Sequence, residues 1–242
     1  MNDQAIDRNV IRRYSLALTP HGRAWLHFQV LVECVLWRSV LASGAFTKRV
    51  LDIVVSGIAL LLLSPLFLLI AGLIKLEDRG PVFFTQIRVG RFGREFKMFK
   101  FRSMCLDAEQ RLKDLLAKNH HSQGVTFKLK NDPRITRVGR WLRKFSLDEL
   151  PQFYNVFRGD MSVVGPRPPV PREVALYSQA DRRRLAVKPG ITCIWQISGR
   201  AEIDFSGQVQ LDVEYIETQG ISTDFRIMLK TVPAVVSGRG AC

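Results

Sequence analysis

The sequence has few cysteines and few histidines, four of each in 242 residues. The cysteines show none of the paired spacings that are typical of zinc sites or disulfide frameworks. The sequence therefore predicts neither kind of site, and it favours a reducing compartment for the part outside a membrane. The first twenty residues are polar and charged, without the apolar segment and cleavage pattern of a secretory signal.

Acidic side chains are also scarce. The chain carries 36 lysines and arginines against 22 aspartates and glutamates, a formal net charge of +14. Such a surplus predicts anionic partners, namely nucleic acid, acidic lipid headgroups or phosphorylated small molecules. Basic residues alternate with aromatic ones over residues 94–104, a pattern found on nucleic-acid-binding strands and, more often, on ordinary amphipathic ones.

Residues 53–74 carry no charge and consist mainly of Leu, Ile and Val. As one helix this stretch would be about 33 Å long, close to the thickness of a bilayer core. A fully buried helix of a soluble protein is the alternative, but it is seldom so long and so purely apolar. The sequence therefore predicts a membrane segment here.

Ser64-Pro65 lies at the centre of this segment. Proline removes a backbone hydrogen bond and kinks a helix, and each resulting arm would be roughly 17 Å long, enough to reach only the middle of a bilayer. Basic residues flank both ends, which places both ends in the cytoplasm by the positive-inside rule. We therefore predict a re-entrant helix–break–helix rather than a kinked span.

The segment before this run is less regular. Residues 24–42 are largely apolar, but their four polar side chains do not share one helical face, so an interfacial helix, a helix packed on a partner and a poor membrane span all stay open. Ser43-Gly44 interrupts the apolar pattern and predicts a boundary. We expect an N-terminal extension over 1–44 and a second domain over 45–242, in which 48–79 form the membrane helix and 80–242 lie outside the membrane.

An acidic pair, Asp148 and Glu149, lies in the hexapeptide that runs from Ser146 to Pro151. Ser146 and Glu149 match a capping box, which needs no chemistry. If Asp148 is the N-cap instead, Pro151 falls in the first helical turn, where it is tolerated. Both interpretations predict that the pair lies at the positive end of a helix, a position that stabilises carboxylates and attracts phosphate.

Two further regions are rich in candidate binding residues. Residues 81–104 predict a β-hairpin. Prolines on both sides of Arg167 stiffen its backbone, which suits a two-point phosphate contact, although a rigid loop with a solvent-exposed arginine fits equally well. Trp195 could stack on a base or sugar, whereas a buried structural tryptophan is the commoner case. Residues 181–184 predict a charged surface segment.

These features together resemble a known family, the bacterial sugar transferases, which are monotopic polyprenyl-phosphate phosphoglycosyl transferases. The resemblance covers about residue 48 to the C-terminus and rests on motifs that occur in order. The motifs are Lys48-Arg49-x-x-Asp52, Ser64-Pro65, Phe99-Lys100-Phe101-Arg102-Ser103-Met104, Arg143, Ser146-Leu147-Asp148-Glu149-Leu150-Pro151, Gly159-Asp160-Met161, Gly165-Pro166-Arg167-Pro168, Lys188-Pro189-Gly190 and Trp195-Gln196-Ile197-Ser198-Gly199-Arg200. The closing residues 230–239 look like the small succinoglycan-type members, which move galactose phosphate.

The resemblance implies a reaction and a set of roles. Asp148 is the nucleophile that attacks the β-phosphate of a UDP-sugar, releases UMP and carries the phospho-sugar until polyprenyl phosphate takes it. Mg²⁺ is the implied cofactor, with Glu149 and Asp148 as its ligands. The other implied roles are phosphate binding by Lys100, Arg102, Arg143 and Arg167, a nucleotide or sugar region at Trp195, Gln196 and Arg200, the helix break at Ser64 and Pro65, and the membrane interface at Lys48, Arg49 and Asp52.

The resemblance also implies an α+β, mainly helical monotopic membrane protein with a small β-hairpin, interfacial amphipathic helices and a catalytic part on the cytoplasmic face of the inner membrane. The implied partners are a UDP-sugar, polyprenyl phosphate, the phospholipid membrane and, in some assemblies, a second copy of the chain, without nucleic acid. Galactose or glucose is the expected sugar, and an N-acetylated hexosamine is the alternative. Residues 1–44 lie outside the family core. A membrane-anchored nucleic-acid-binding protein and a non-catalytic scaffold are the other classes to be tested.

Overall fold

The structure, a computed structural model, describes residues 14, 17–108, 110–111, 132–199 and 203–237, and for residues 36–43 it describes the helical backbone alone. Contacts divide the chain into two compact units, Met1–Lys48 and Arg49–Cys242. In the described part of the first unit, apolar side chains such as Trp25, Phe28 and Leu31 are exposed.

Helix α1 covers Pro20–Leu62 and passes through Ser43-Gly44 without interruption. The boundary predicted at this pair therefore does not coincide with the end of a helix. A single glycine lowers helix stability by only about 1 kcal/mol relative to alanine, which a long helix tolerates. The division between the two compact units follows Lys48, within the same helix.

The break predicted at Ser64-Pro65 is confirmed. Helix α2 covers Ser64–Asp78, with Pro65 in its first turn, and the axes of the two arms, Gly44–Leu62 and Ser64–Asp78, differ by 58°. The Ser64 hydroxyl donates a hydrogen bond of 2.8 Å to the Leu61 carbonyl. Among the described helices none alone is long and apolar enough to cross a membrane, whereas these two arms together reach the required length and hydropathy.

The predicted hairpin is also confirmed. Strand β1, Phe83–Val89, pairs in antiparallel register with β2, Glu95–Phe101. The connection includes a 3₁₀ turn, Arg91–Gly93, in which Phe92 has φ 57° and Gly93 has φ 81°. The pairing of Arg88 with Phe96 and of Phe84 with Lys100 sets the register.

The rest of the second unit is built from short elements. In chain order these are α3 Arg137–Lys144, a 3₁₀ turn Leu147–Glu149, α4 Gln152–Arg158, β3 Ser162–Val164, α5 Pro171–Ala175, a 3₁₀ turn Asp181–Leu185, β4 Gly190–Thr192, α6 Ile194–Ser198, α7 Phe205–Thr218 and α8 Ile221–Ser237. The protein is thus mainly helical with a small antiparallel sheet, as expected. The parallel pair β3–β4 was not predicted, because three-residue strands are too short to show a period of two.

Two apolar clusters form the core of the second unit. One joins Ile70 and Ile74 of α2 with Phe101 of β2 and Leu142 of α3. The other packs Met98 of β2 against strand β3 and the last two helices, with Tyr215 and Ile227 buried. Strand β2 contributes to both clusters and therefore connects the helix after the bend with the C-terminal helices.

Two charged side chains fasten the part of α1 that belongs to the second unit to the rest of that unit. Arg49 donates hydrogen bonds of 2.7 and 2.8 Å to the carbonyls of Val156 and Phe157, at the C-terminal end of α4. The buried Asp52 carboxylate accepts hydrogen bonds of 2.9 Å from the Ser162 hydroxyl and the Val163 N–H, at the start of β3. Arg49 and Asp52, which were predicted at the membrane interface, thus both have hydrogen-bond partners within the protein.

The arm after the bend is fastened in the same way. The Glu77 carboxylate accepts hydrogen bonds from the Arg137 and Val138 N–H groups, 2.7 and 3.3 Å long, at the start of α3. Asp78 forms an ion pair with Arg102, the residue that follows β2. The residues from Arg49 to the bend and those after the bend are therefore both fastened within one compact unit, and the bend between them exposes leucines, among them Leu61, Leu62, Leu68 and Leu69.

The predicted charged surface segment at residues 181–184 is wrong for Arg184. This arginine is buried, forms an ion pair with Asp212 of α7 and bonds to the Tyr177 hydroxyl. Burial raises the pKa of Asp212 to about 6, although Arg184 opposes the shift. A partner 28 positions away cannot be identified from a local run of arginines.

Replacing Asp52 with alanine should destabilise the protein. The change leaves the Ser162 hydroxyl and the Val163 N–H without their acceptor in a buried place, which costs about 2–4 kcal/mol in the free energy of unfolding. Asp52→Asn keeps an oxygen at the same position and should lose less. The measurement is the thermal unfolding midpoint of the wild type, Asp52→Ala and Asp52→Asn in the same detergent. Equal midpoints would contradict a stabilising role of the hydrogen bonds that Asp52 accepts.

Candidate active site

The acidic pair lies in a 3₁₀ turn rather than in a helix. Ser146 has φ 53° and makes no side-chain cap, Leu147–Glu149 form the turn, and α4 begins at Gln152 with Pro151 as its N-cap. Both predicted caps, Ser146 and Asp148, are therefore wrong. The left-handed backbone of Ser146 starts the turn, and Pro151 takes the position at which a missing N–H is tolerated.

The Glu149 carboxylate is held by Lys100. The Lys100 Nζ donates to Glu149 Oε1 at 2.6 Å, which joins strand β2 to the turn. Burial opposes ionisation of Glu149, but the charge and hydrogen bond of Lys100, with Arg167 and Arg88 further away, hold its pKa below the usual range. Glu149 is therefore ionised at neutral pH, and the ammonium of Lys100 is bonded to it rather than to Asp148.

Asn155 keeps β2 and the turn together. Its fully buried amide accepts from the Phe99 N–H at 3.0 Å and donates to the Lys97 carbonyl at 2.7 Å, as a neighbouring strand would. Because Asn155 belongs to α4, this amide fixes the helix that follows the acidic pair against the strand that carries Lys100. The sequence pattern gave no signal for this contact, since the two segments are more than fifty residues apart.

Asp148 has a different environment from its neighbour. Its side chain is only 8% exposed. Burial raises the pKa of Asp148, the charges of Lys100 and Arg143 lower it, and the charge of Glu149 adds to the increase, with a net shift upward. The pKa values of the two adjacent carboxylates are therefore shifted in opposite directions, an arrangement that often accompanies distinct chemical roles.

Arg167 is exposed, and the loop around it is fixed. Its guanidinium carbon lies 6.0 Å from the centre of the Trp195 ring. The carbonyls of Pro168 and Pro169 accept hydrogen bonds of 2.9 Å from the Arg88 Nη1 and the Val89 N–H. Trp195 is buried, so the structure favours the structural interpretation of this tryptophan, with Arg167 near its ring, over an open stacking surface.

A small cleft that is open to solvent lies between these elements. Three cations and one carboxylate face it, and apolar and amide groups complete the wall. The lining residues are Arg88, Met98, Lys100, Glu149, Gln152, Arg167, Pro168, Gly190, Ile191 and Gln196. Four predicted site residues thus lie together here, and Asp148 lies directly beside the cleft, next to Glu149, without being part of its lining.

The other predicted site residues do not line the cleft or fall outside the described residues. Arg102 is buried and paired with Asp78. Arg143 is in the last turn of α3, close enough to influence the pKa of Asp148. Arg49 and Asp52 bind α4 and β3, Lys48 belongs to the first compact unit, and Arg200 falls outside the described residues.

Two residues of the cleft, Arg88 and Gln152, were not predicted from the sequence as site residues. Both are buried and line the cleft. Arg88 lies in a strand with alternating side chains, where one polar residue in two is ordinary, so it gave no signal by itself. Its position opposite Phe96 in the hairpin, beside a second basic strand, was the only available indication.

No group of three or more histidine, cysteine or acidic side chains in the described part of the chain is arranged to hold a metal ion. The adjacent carboxylates nevertheless fit Mg²⁺, which is commonly bound through one or two carboxylates together with substrate phosphates. Of the four carboxylate oxygens of Asp148 and Glu149, only Glu149 Oε1 accepts a hydrogen bond from a described side chain, that of Lys100.

The geometry defines a class of site. A small cleft with excess positive charge suits a phosphate or diphosphate group, and a buried carboxylate beside it suits an attack on phosphorus. The chain matches the model of the bacterial sugar transferase family over residues 43–238. It belongs to this family, and the resemblance drawn from the motifs is confirmed.

Three relatives illustrate the similarity. The chain is 50% identical over 200 residues to the galactosyl transferase CpsE of Streptococcus agalactiae, 45% over 201 residues to the exopolysaccharide production protein ExoY of Rhizobium meliloti, and 44% over 202 residues to the undecaprenyl-phosphate galactose phosphotransferase of Salmonella typhimurium. Each alignment covers 82% of this chain, but 44%, 89% and 42% of the respective relative. The chain thus spans less than half of CpsE and most of ExoY.

The opposite pKa shifts of the acidic pair predict opposite effects on stability. For Asp148, whose pKa is raised on folding, the stabilisation is complete below the unfolded pKa of about 3.9 and is lost as the pH rises through the folded pKa. Asp148→Asn should therefore raise the unfolding midpoint at pH 7, by about 2–4 °C per kcal/mol relieved.

Glu149→Gln is the matched comparison. The lowered pKa of Glu149 contributes stability above its unfolded pKa that is lost as the pH falls through the folded one, so this variant should unfold at a lower temperature at pH 7. Thermal unfolding of both variants at pH 7 and near pH 4 provides the measurement. Midpoints that move in the same direction at pH 7 would contradict the described environments.

Proposed function

We propose that the protein transfers a hexose-1-phosphate, galactose or glucose, from a UDP-sugar to polyprenyl phosphate and releases UMP. The observation that carries the proposal is the cationic cleft beside Asp148 in a member of this family. Two of its relatives are a galactosyl transferase and an undecaprenyl-phosphate galactose phosphotransferase, and the relative ExoY is an exopolysaccharide production protein. The reaction would be an early membrane step in making such a polymer.

Asp148 is the nucleophile in this proposal. One carboxylate oxygen forms a bond to the β-phosphorus of the UDP-sugar while the bond from that phosphorus to the bridging oxygen breaks, and UMP leaves with the electron pair. A phosphate oxygen of polyprenyl phosphate then attacks the same phosphorus and releases the Asp148 carboxylate. Two displacements replace one direct reaction between two bulky phosphates.

The charges around the cleft support this chemistry. A carboxylate that approaches a diphosphate is repelled unless positive groups offset the charge, and Lys100, Arg167 and Arg88 face the same small volume. Burial makes the ionised form of Asp148 less stable in the free protein, so the carboxylate gains from bonding to phosphorus. Asp148 and Glu149 would hold the Mg²⁺ ion, which when bound would neutralise phosphate charge.

The attachment of both helix arms supports a re-entrant topology. Arg49 and Asp52 fasten the arm before the bend, and Glu77 and Asp78 fasten the arm after it, all to the unit that contains the cleft. A segment whose two ends return to one unit enters and leaves a bilayer on the same side. We infer a monotopic protein on the cytoplasmic face of the inner membrane, where a lipid phosphate can reach Asp148.

The nucleic-acid-binding alternative finds less support. On the basic strand and just after it, Lys100 and Arg102 are paired with Glu149 and Asp78, so their charges are already partly neutralised. A nucleic-acid surface needs such cations for the phosphate backbone, and its binding would be steeply salt-dependent and independent of Asp148.

Replacing Asp148 with asparagine should abolish UMP release, because the amide cannot form the bond to phosphorus. UMP is measured with purified protein, Mg²⁺, undecaprenyl phosphate and a panel of UDP-sugars, which also identifies the sugar. Asp181→Asn, a change in a surface turn beside Ser178, is the matched control and should turn over normally. Undiminished release by Asp148→Asn would end the proposed mechanism.

The topology has its own test, with single cysteines in a background without the four native ones. Ala45 lies near the beginning of the bent pair and Arg79 just after its end, and both are exposed. A cysteine at either position should react with an impermeant maleimide from the same side of the membrane as a cysteine at Glu95 of the hairpin. Leu62, at the bend, should be protected. Labelling of Ala45 and Arg79 from opposite sides would establish a true span instead.

A further inference from the structure

Arg88 is a buried cation that forms no ion pair with any described residue. Its side chain is 7% exposed and lies in the wall of the cleft. Among the described residues, no carboxylate oxygen lies within 4.0 Å of an Arg88 guanidinium nitrogen, the distance of an ion pair. A buried charge without a counter-ion is costly to maintain, by several kcal/mol in proteins in general. Such a residue therefore requires an explanation.

The guanidinium of Arg88 is also held in one orientation. Its Nη1 donates to the Pro168 carbonyl at 2.9 Å, and its Nη2 donates to Gln86 Oε1 at 2.7 Å. An arginine carries five N–H donors, and these two bonds use one on each terminal nitrogen. The Nε is buried and has no acceptor among the described residues. The remaining N–H groups of the terminal nitrogens are the ones that a ligand in the cleft can reach.

A second arginine lies on the same cleft. Arg167 flanks Pro168, whose carbonyl Arg88 binds. Burial first and then the like charge of Arg167 lower the pKa of Arg88 to about 10, while Glu173 and Glu149, neither of which forms an ion pair with Arg88, oppose the shift. Two cations that face one cleft repel each other when it contains only water. An anion between them would relieve this repulsion and would pair directly with Arg88, which Glu149 in the same cleft, bonded to Lys100, does not.

We propose that Arg88 binds the diphosphate of the sugar donor, beside Arg167, through the free N–H groups of its fixed guanidinium. This assignment rests on the proposed function and adds to it a residue that the motif pattern did not indicate. Gln86 and the Pro168 carbonyl are the positioning groups, because they fix the guanidinium before the ligand arrives. Preorganised donors of this kind favour an anion without a cost of reorientation.

The test uses the full chain in lipid nanodiscs, with UDP and inorganic pyrophosphate as probes in calorimetric titrations. Arg88→Gln should weaken the binding of both probes at least tenfold. Its unfolding midpoint without ligand should be unchanged or higher, because an unpaired buried charge has been removed. Arg172→Gln is the control. Arg172 is exposed and electrostatically coupled to Arg88 but does not line the cleft, so its affinities should stay within twofold of wild type.

Arg88→Lys distinguishes binding from a purely structural role. A lysine keeps the charge but not the two-point orientation, so it should bind the probes more tightly than Arg88→Gln and more weakly than wild type. Equal losses in the two variants, together with lowered unfolding midpoints, would show that Arg88 only holds the loop and would overturn the proposal. Wild-type affinity in Arg88→Gln would overturn it directly.

If Arg88→Gln does not fold, Gln86→Leu decides the question. This variant removes only the acceptor that orients Nη2, and a loss of threefold or more in pyrophosphate affinity supports the proposal, whereas wild-type affinity contradicts it. UMP release by the wild type is measured in parallel. Its absence with every UDP-sugar would end the proposed function, while a pyrophosphate affinity that depends on Arg88 would still stand.

Discussion

The ion pair between Lys100 and Glu149 is the contact on which the arrangement of the site depends. It joins a strand of the hairpin to the turn that carries both carboxylates, and Asn155 reinforces the junction by bonding to the backbone of the same strand. Because Lys100 is bonded to Glu149, it reaches Asp148 only through its electrostatic field. The two carboxylates therefore differ: burial makes Asp148 costly to ionise although Lys100 opposes this, whereas the charge and hydrogen bond of Lys100 keep Glu149 ionised.

The same short helix connects the site to the apolar bend. Helix α4 begins just after the acidic pair and ends on carbonyls that Arg49 binds, and Arg49 belongs to the arm that leads to the bend. Strand β3, which follows α4, is fixed by Asp52 of the same arm. The position of the carboxylates is therefore mechanically linked to the helix that we place in the membrane. If the acceptor is a lipid phosphate, as we propose, this linkage would fix the height of Asp148 relative to the headgroups.

Local patterns predicted the features that depend on local chemistry. The pure apolar run with Ser64-Pro65 predicted the bend, alternation predicted the hairpin, and the motifs placed Lys100, Glu149 and Arg167 in one site. Features that depend on contacts between distant segments were not predictable. Asp52 binds Val163 over 111 positions, and Arg88 binds Pro168 over 80. The left-handed Ser146 also escaped prediction, because a serine before Leu-Asp-Glu fits a helix cap as well as a turn.

The central claim is that Asp148 carries the phospho-sugar between donor and acceptor. The most direct measurement mixes the protein with Mg²⁺ and the UDP-sugar that supports turnover, omits polyprenyl phosphate, quenches the mixture and determines the mass of the peptide that contains Asp148. We predict that this peptide gains the mass of one sugar-phosphate group and loses it when polyprenyl phosphate is added before the quench. An unmodified peptide, in a preparation that forms lipid-linked product once the acceptor is present, would contradict the account.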